Sequence, residues 1–141
     1  KGKNLKDMSL EEMDKLWAAL GQVNYVDVLL IQCYSGWRPQ ELGLIELENV
    51  KLDEKIMIGG MKTDAGTNRV VPIHSKIFPL VEARYNEAVT IGSPFLINCV
   101  DSYTRRGNLK MTYEKYRQRF IKIINRLNLN PEHRAHGGTA R

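Results

Sequence analysis

From Tyr25 to Tyr34 the chain is almost unbroken apolar sequence, and two residues later it meets Gly36, then Trp37-Arg38-Pro39-Gln40-Glu41-Leu42. A run of that composition reads as a helix buried on most sides, so the remaining residues must supply layers to cover it. Gly36 suits its end, because glycine adopts the left-handed backbone that terminates helices without a Cβ penalty. Pro39 suits the first turn of a following helix, where its missing N–H would have had no intrahelical partner. Arg38 is thereby set at a helix–turn–helix corner, with Glu41 one turn further on and able to hold it. A guanidinium fixed there presents a planar fork to phosphate or carboxylate. A plain Arg38–Glu41 surface pair is the alternative, and it would contribute little.

The flanking segments divide into helical and extended patterns. Lys1 to Lys6 is basic and aperiodic, as at the end of a linker. Ser9-Leu10-Glu11-Glu12 has the spacing of a capping box, with Met8 and Met13 at the staple positions, so a helix starts there and closes at Gly21. Leu10, Met13, Leu16, Trp17 and Leu20 give it one apolar face. After the Arg38 corner the pattern predicts a helix to about Glu48. Three short β-type runs follow, Val50 to Leu52, Lys55 to Gly60 and Arg69 to Ile73, and the turn formers from Met61 to Asn68 make the last two a hairpin with Lys62 near the end of its outgoing strand. A lysine there also has a plain explanation, since charge on a hairpin edge discourages aggregation.

Ser75 to Ala88 reads as a further helix, Pro94 to Ile97 as a short extended run, and Asp101 to Asn108 as a polar loop. Thr112 caps a long helix to Leu127. There Tyr113, Tyr116, Phe120, Ile123, Ile124 and Leu127 line one side, and Lys115, Arg117, Arg119, Lys122 and Arg126 take the other. That basic side suits a phosphate backbone or an ordinary solvated surface. The fold class implied is α+β and predominantly helical, with helices packed around a small antiparallel three-stranded sheet.

The chain of 141 residues, 43% of them apolar, is enough for one domain with its own core. A formal net charge of +5 favours anionic partners without identifying them. Cys33 and Cys99 stand in apolar surroundings with no metal-ligand spacing, so both read as reduced core residues in a cytoplasmic protein. No stretch is long and apolar enough to span a bilayer, and no metal or cofactor pattern appears.

Taken together, Gly36-Trp37-Arg38-Pro39-Gln40-Glu41-Leu42, then Lys62-Thr63 ahead of Arg69-Val70-Val71-Pro72-Ile73, then a basic helix leading to Pro131-Glu132-His133-Arg134-Ala135-His136, resemble the catalytic domain of the tyrosine recombinases, the phage integrase family. The order and spacing run across almost the whole chain. On this resemblance residues 1–8 are the end of a linker and residues 9–141 a C-terminally incomplete catalytic domain. The resemblance implies site-specific DNA recombination without metal or cofactor, by strand cleavage and rejoining through a 3′-phosphotyrosyl intermediate. It implies double-stranded DNA as partner, a homotetramer on paired DNA in the full-length protein, and no membrane. It further implies that Arg38 clamps the scissile phosphate, that Lys62 protonates the leaving 5′-oxygen, and that His136 assists proton movement at the nucleophile. Glu41 is then a structural support, and Arg69, Lys115 and Arg119 are DNA contacts.

The family's box has an arginine three residues after its histidine, whereas Thr139 stands three after His136 and Arg141 five after it. Arg141 serves as that second arginine, the Gly137 to Thr139 segment is altered, or the arginine is absent. The six tyrosines, Tyr25, Tyr34, Tyr85, Tyr103, Tyr113 and Tyr116, all precede the box, so residues 1–141 alone are not expected to cleave DNA. Two other functions compete. A non-catalytic helix-turn-helix DNA-binding module would place the helix after Gly36 in the major groove, yet its leucines and Ile45 suit a core and the Lys62 hairpin is left without a role. A structural or protein-interaction domain would use its basic residues for solubility alone.

Overall fold

The computed structural model describes residues 8–60, 69–99, 111–133 and 135. Helix α1 (Leu10–Ala19) starts at Ser9, whose hydroxyl accepts from the Glu12 N–H at 3.1 Å while the Glu12 carboxylate accepts from the Ser9 N–H at 3.0 Å. This reciprocal cap satisfies two of the donors that every helix start leaves open. Helix α2 (Val26–Ser35) is the apolar run, and Val26, Val28, Leu29, Leu30 and Ile31 are fully buried. It ends as its sequence requires, with Gly36 at φ 77° donating its N–H to the Gln32 carbonyl.

Helix α3 (Pro39–Gly43) is short. The helical pattern to Glu48 gives way because Ile45, Glu46 and Leu47 pair with a distant segment. Leu96 N–H donates to the Ile45 carbonyl, Leu47 N–H donates to the Pro94 carbonyl, and Glu46 bridges Phe95. Leu44 is consequently 41% exposed instead of joining the core. Backbone hydrogen bonding over long range outweighs a local period of only a few residues.

A 3₁₀ turn (Leu47–Asn49) leads into β1 (Val50–Lys51), β2 (Ile56–Gly59) and β3 (Arg69–Pro72), an antiparallel sheet in the order β1-β2-β3. Gly59 pairs with Arg69 and Ile56 with Pro72, which directs Met57 and Val71 to the core and leaves Val70 exposed. Helix α4 (Phe78–Ile91) begins three residues later than the sequence pattern, with Pro79 in its first turn. Arg84 of α4 makes a fork to Asp27 of α2 at 2.7 and 2.9 Å, tying the two helices. Helix α5 (Tyr113–Arg126) is capped by Thr112 and buries Tyr116, Phe120, Ile123 and Ile124. The architecture is α+β, helices around a small three-stranded antiparallel sheet, as the sequence implies.

Beyond α5 the chain turns at Asn128, φ 60°, and runs back across α1 and α2. The Glu12 carboxylate accepts from the Asn130 N–H at 2.9 Å and meets the His133 Nε2 at 3.1 Å. Burial opposes the charge on Glu12. The N–H groups of Asn130 and Ser9, and then His133, outweigh it and hold the pKa at about 2, below the ordinary 4.5.

Two outcomes follow from this packing. A Cβ on Gly43 would overlap the Met111 carbonyl just ahead of α5, so Gly43→Ala should lower stability by about 2 kcal/mol, as overpacked cores do. An unchanged urea midpoint would contradict the close approach. A carboxylate with a depressed folded-state pKa contributes stability that is fully present above its unfolded pKa and lost as pH falls towards the folded one. The melting temperature of wild type should therefore fall more steeply than that of Glu12→Gln between pH 4.5 and 2; parallel curves would show that the Glu12 contacts do not favour its charged form.

Candidate functional site

Arg38 occupies the N-cap of α3 in extended conformation, and its backbone N–H donates to Glu41 Oε1 at 2.9 Å. The same oxygen accepts from Arg69 Nη2 at 2.8 Å. Glu41 is buried, so its charge needs such donors, and it draws one from the helix start and one from β3. It holds the Arg38 backbone and not the Arg38 guanidinium, which is exposed and makes no ion pair among the described residues. The corner thus carries an exposed cation on a fixed backbone.

Trp37 lies beneath this arrangement, 1% exposed, with the Arg69 guanidinium over its ring at 4.5 Å. Stacking on the ring and pairing with Glu41 fix Arg69 from two directions while its side chain remains 40% exposed. Gly59 fits closely against the indole edge, since a Cβ there would stand 3.3 Å from Trp37 Cη2. Gly59 and Arg69 face each other across β2 and β3, so the loop end of the strand pair rests on the Arg38 corner. Residues 61–68 join those strands, and Lys62 lies outside the described residues, as do His136 and Arg141. The contribution of Trp37 is not legible in the sequence. An indole between the helix-ending glycine and the arginine was the available signal, but the strand register that brings Arg69 over it is not written locally.

The remaining candidates are spread more widely. Lys115 is in the first turn of α5, with its N–H on the Thr112 hydroxyl. Arg119, further along, places its guanidinium 4.9 Å from the centre of the Tyr25 ring, which Arg84 also approaches at 5.1 Å. Tyr25 precedes α2 and Arg38 follows it, so the backbones of these two positions are separated by the length of a ten-residue helix, roughly 15 Å. Arg38 and Arg69 therefore share one locality, and Arg119 belongs to another.

Among the described tyrosines, Tyr116 is buried and donates to Gln32 Oε1, and burial raises its pKa well above the ordinary value. The Tyr25 phenol is also raised by burial, and burial pushes the Cys33 thiol up to about 12. None of these three is an activated nucleophile. A polar cleft of about 130 Å³ lined by Asn24, Tyr25, Arg84, Glu87 and Asn98 has its guanidinium already engaged by Asp27 and Glu87. Nor is the corner shaped for major-groove readout: α3 has five residues, and Pro39, Glu41, Leu42 and Gly43 are buried. Among the described residues no cluster of His, Cys, Asp or Glu is arranged to hold a metal ion, and no helix is long and apolar enough to cross a membrane.

Because Glu41 serves two donors, its loss should be felt at both. Glu41→Ala is expected to cost about 2 kcal/mol, within the range for a lost charged hydrogen-bond partner. A urea-unfolding difference below about 0.5 kcal/mol, the scale of an ordinary surface change, would show that the carboxylate does not organise the corner.

No family model matches the chain, and no curated protein does. Among solved structures, a crystal structure of XerA recombinase is similar with a TM-score of 0.72 at 14% identity, covering 92% of this chain and 46% of that one. The chain thus spans about half the length of that recombinase, and what the two share at this identity is the fold.

Proposed function

We propose that the chain is part of a catalytic domain for site-specific DNA recombination, cleaving and rejoining strands through a 3′-phosphotyrosyl intermediate. The observation that carries this reading is the double use of Glu41, which ties the Arg38 backbone and the Arg69 guanidinium to one buried oxygen. The hairpin bearing Lys62 therefore leaves and returns at the arginine corner. A phosphoryl-transfer site needs such an assembly: charge aimed at the non-bridging oxygens and a proton donor for the departing oxygen. The fold likeness to a recombinase supports the same reading.

In this scheme the Arg38 guanidinium donates to the non-bridging oxygens of the scissile phosphate, where negative charge gathers as the phosphorus becomes five-coordinate. A tyrosine carried beyond Arg141 supplies the nucleophilic oxygen. The new bond joins that oxygen to phosphorus, the bond from phosphorus to the 5′-oxygen breaks, and Lys62 gives its proton to the leaving oxygen. His136 takes up the proton lost by the tyrosine. Glu41 keeps the corner in shape, and Arg69, Lys115 and Arg119 contact the duplex, neutralising phosphates and releasing counterions. The partner is double-stranded DNA, two duplexes being bridged by a tetramer of the full-length protein, in a cytoplasmic setting and without a metal or cofactor.

In a chain that includes the tyrosine, Arg38→Ala should abolish covalent linkage to a nicked suicide substrate yet retain most duplex binding, because its charge counts most in the transition state. Lys62→Ala should be equally defective on normal DNA and recover on a substrate with a 5′-bridging sulfur, a leaving group that needs no proton. Full cleavage by the first variant, or absence of recovery in the second, would contradict the assigned roles.

A further inference from the structure

Glu12 does more than cap α1. Its two oxygens accept from the Ser9 N–H at 3.0 Å and the Asn130 N–H at 2.9 Å, and they stand 3.1 and 3.2 Å from His133 Nε2. The His133 side chain is 1% exposed and Glu12 15%, so this is a largely desolvated junction between residues 118 and 121 positions apart. The segment it grips has neither helix nor strand. Within it, His133 N–H donates to the Asn130 carbonyl and Glu132 N–H to the Asn130 side chain, which closes a compact turn.

A second grip lies two residues further on. Gln32 Nε2 donates to the Ala135 carbonyl at 3.0 Å, and its Oε1 accepts from the Tyr116 hydroxyl. Gln32, Tyr116 and Ala135 are all buried. Gln32 stands in the last turn of α2, whose Gly36 cap leads directly to Arg38. Two side chains from successive helices thus seize the chain after α5 and deliver it to within one helical turn of the end of α2.

From this geometry we infer that Glu12 is a positioning residue for the Arg38 corner, acting through His133 and the Asn130 turn, with Gln32 as its second anchor. The inference rests on the recombinase reading of that corner. Glu12 touches no reacting atom. It fixes the path by which the segment after α5 comes to the last turn of α2, ahead of the Arg38 corner, and displacement of about 1 Å in such a support slows chemistry far more than it weakens binding. Glutamine at position 12 keeps an acceptor but removes the charge that pairs with His133, so it probes alignment without emptying the site.

The test uses the full-length chain with its tyrosine on a nicked duplex, measuring single-turnover covalent linkage, duplex affinity and amide hydrogen exchange together. Glu12→Gln should slow linkage about tenfold or more with the duplex Kd within about twofold, and should speed exchange at the Asn130 and His133 amides. His133→Gln should give a similar loss, and the double variant should be no slower than the worse single one, as for two parts of one contact. Unchanged linkage in Glu12→Gln, or additive losses in the double variant, would overturn the positioning role while Arg38→Ala still abolishes linkage. Undiminished linkage in Arg38→Ala would instead overturn the underlying reading.

Discussion

The buried Glu41 carboxylate is the constraint on which the site geometry depends. A charge taken out of water must be met by donors, and the two it meets come from a helix start and from a strand 28 residues away. Satisfying it fixes the α3 cap, the start of β3 and, through the indole beneath Arg69, the seat of Gly59. A sheet of ten residues could shift its position on a helical body. Here one oxygen and one aromatic face hold the loop end of β2 and β3 against the arginine corner.

The same device recurs elsewhere among the described residues. Glu12 and Gln32 secure the segment after α5, and Arg84 secures α4 to α2 through Asp27. In each case a side chain whose first duty is helical closes a contact of long range. Apolar packing supplies the bulk of the driving force, as the fully buried α2 run indicates. Polar groups at the helix ends decide which of many compact arrangements is adopted.

The parts legible in the sequence were those governed by local chemistry. The Ser9 and Thr112 caps, the Gly36 stop, the antiparallel strands and the overall fold class follow from residues a few positions apart. The helical period that continues to Glu48 is not realised because Ile45 to Leu47 hydrogen-bond with Pro94 to Leu96, a partnership no local period encodes. The site was legible as a set of residue types and not as contacts. Glu41 lies three residues beyond Arg38 and accepts from its backbone N–H, a local contact, whereas its grip on Arg69 depends on strand register. Arg119 looked like one more cation on a polar helix face; its guanidinium instead lies on the Tyr25 ring, at the other end of α2 from Arg38. The His133–Glu12 contact, spanning 121 positions, left no mark in either local pattern.

The central claim is that the Arg38 fork and the Lys62 ammonium act on one phosphate. The most direct measurement is a crystal structure of the chain bound to a nicked duplex. The account requires both cations within hydrogen-bonding distance, about 3 Å, of oxygens on the phosphate at the cleavage position. Finding them on separate phosphates, or on opposite faces of the protein, would contradict it.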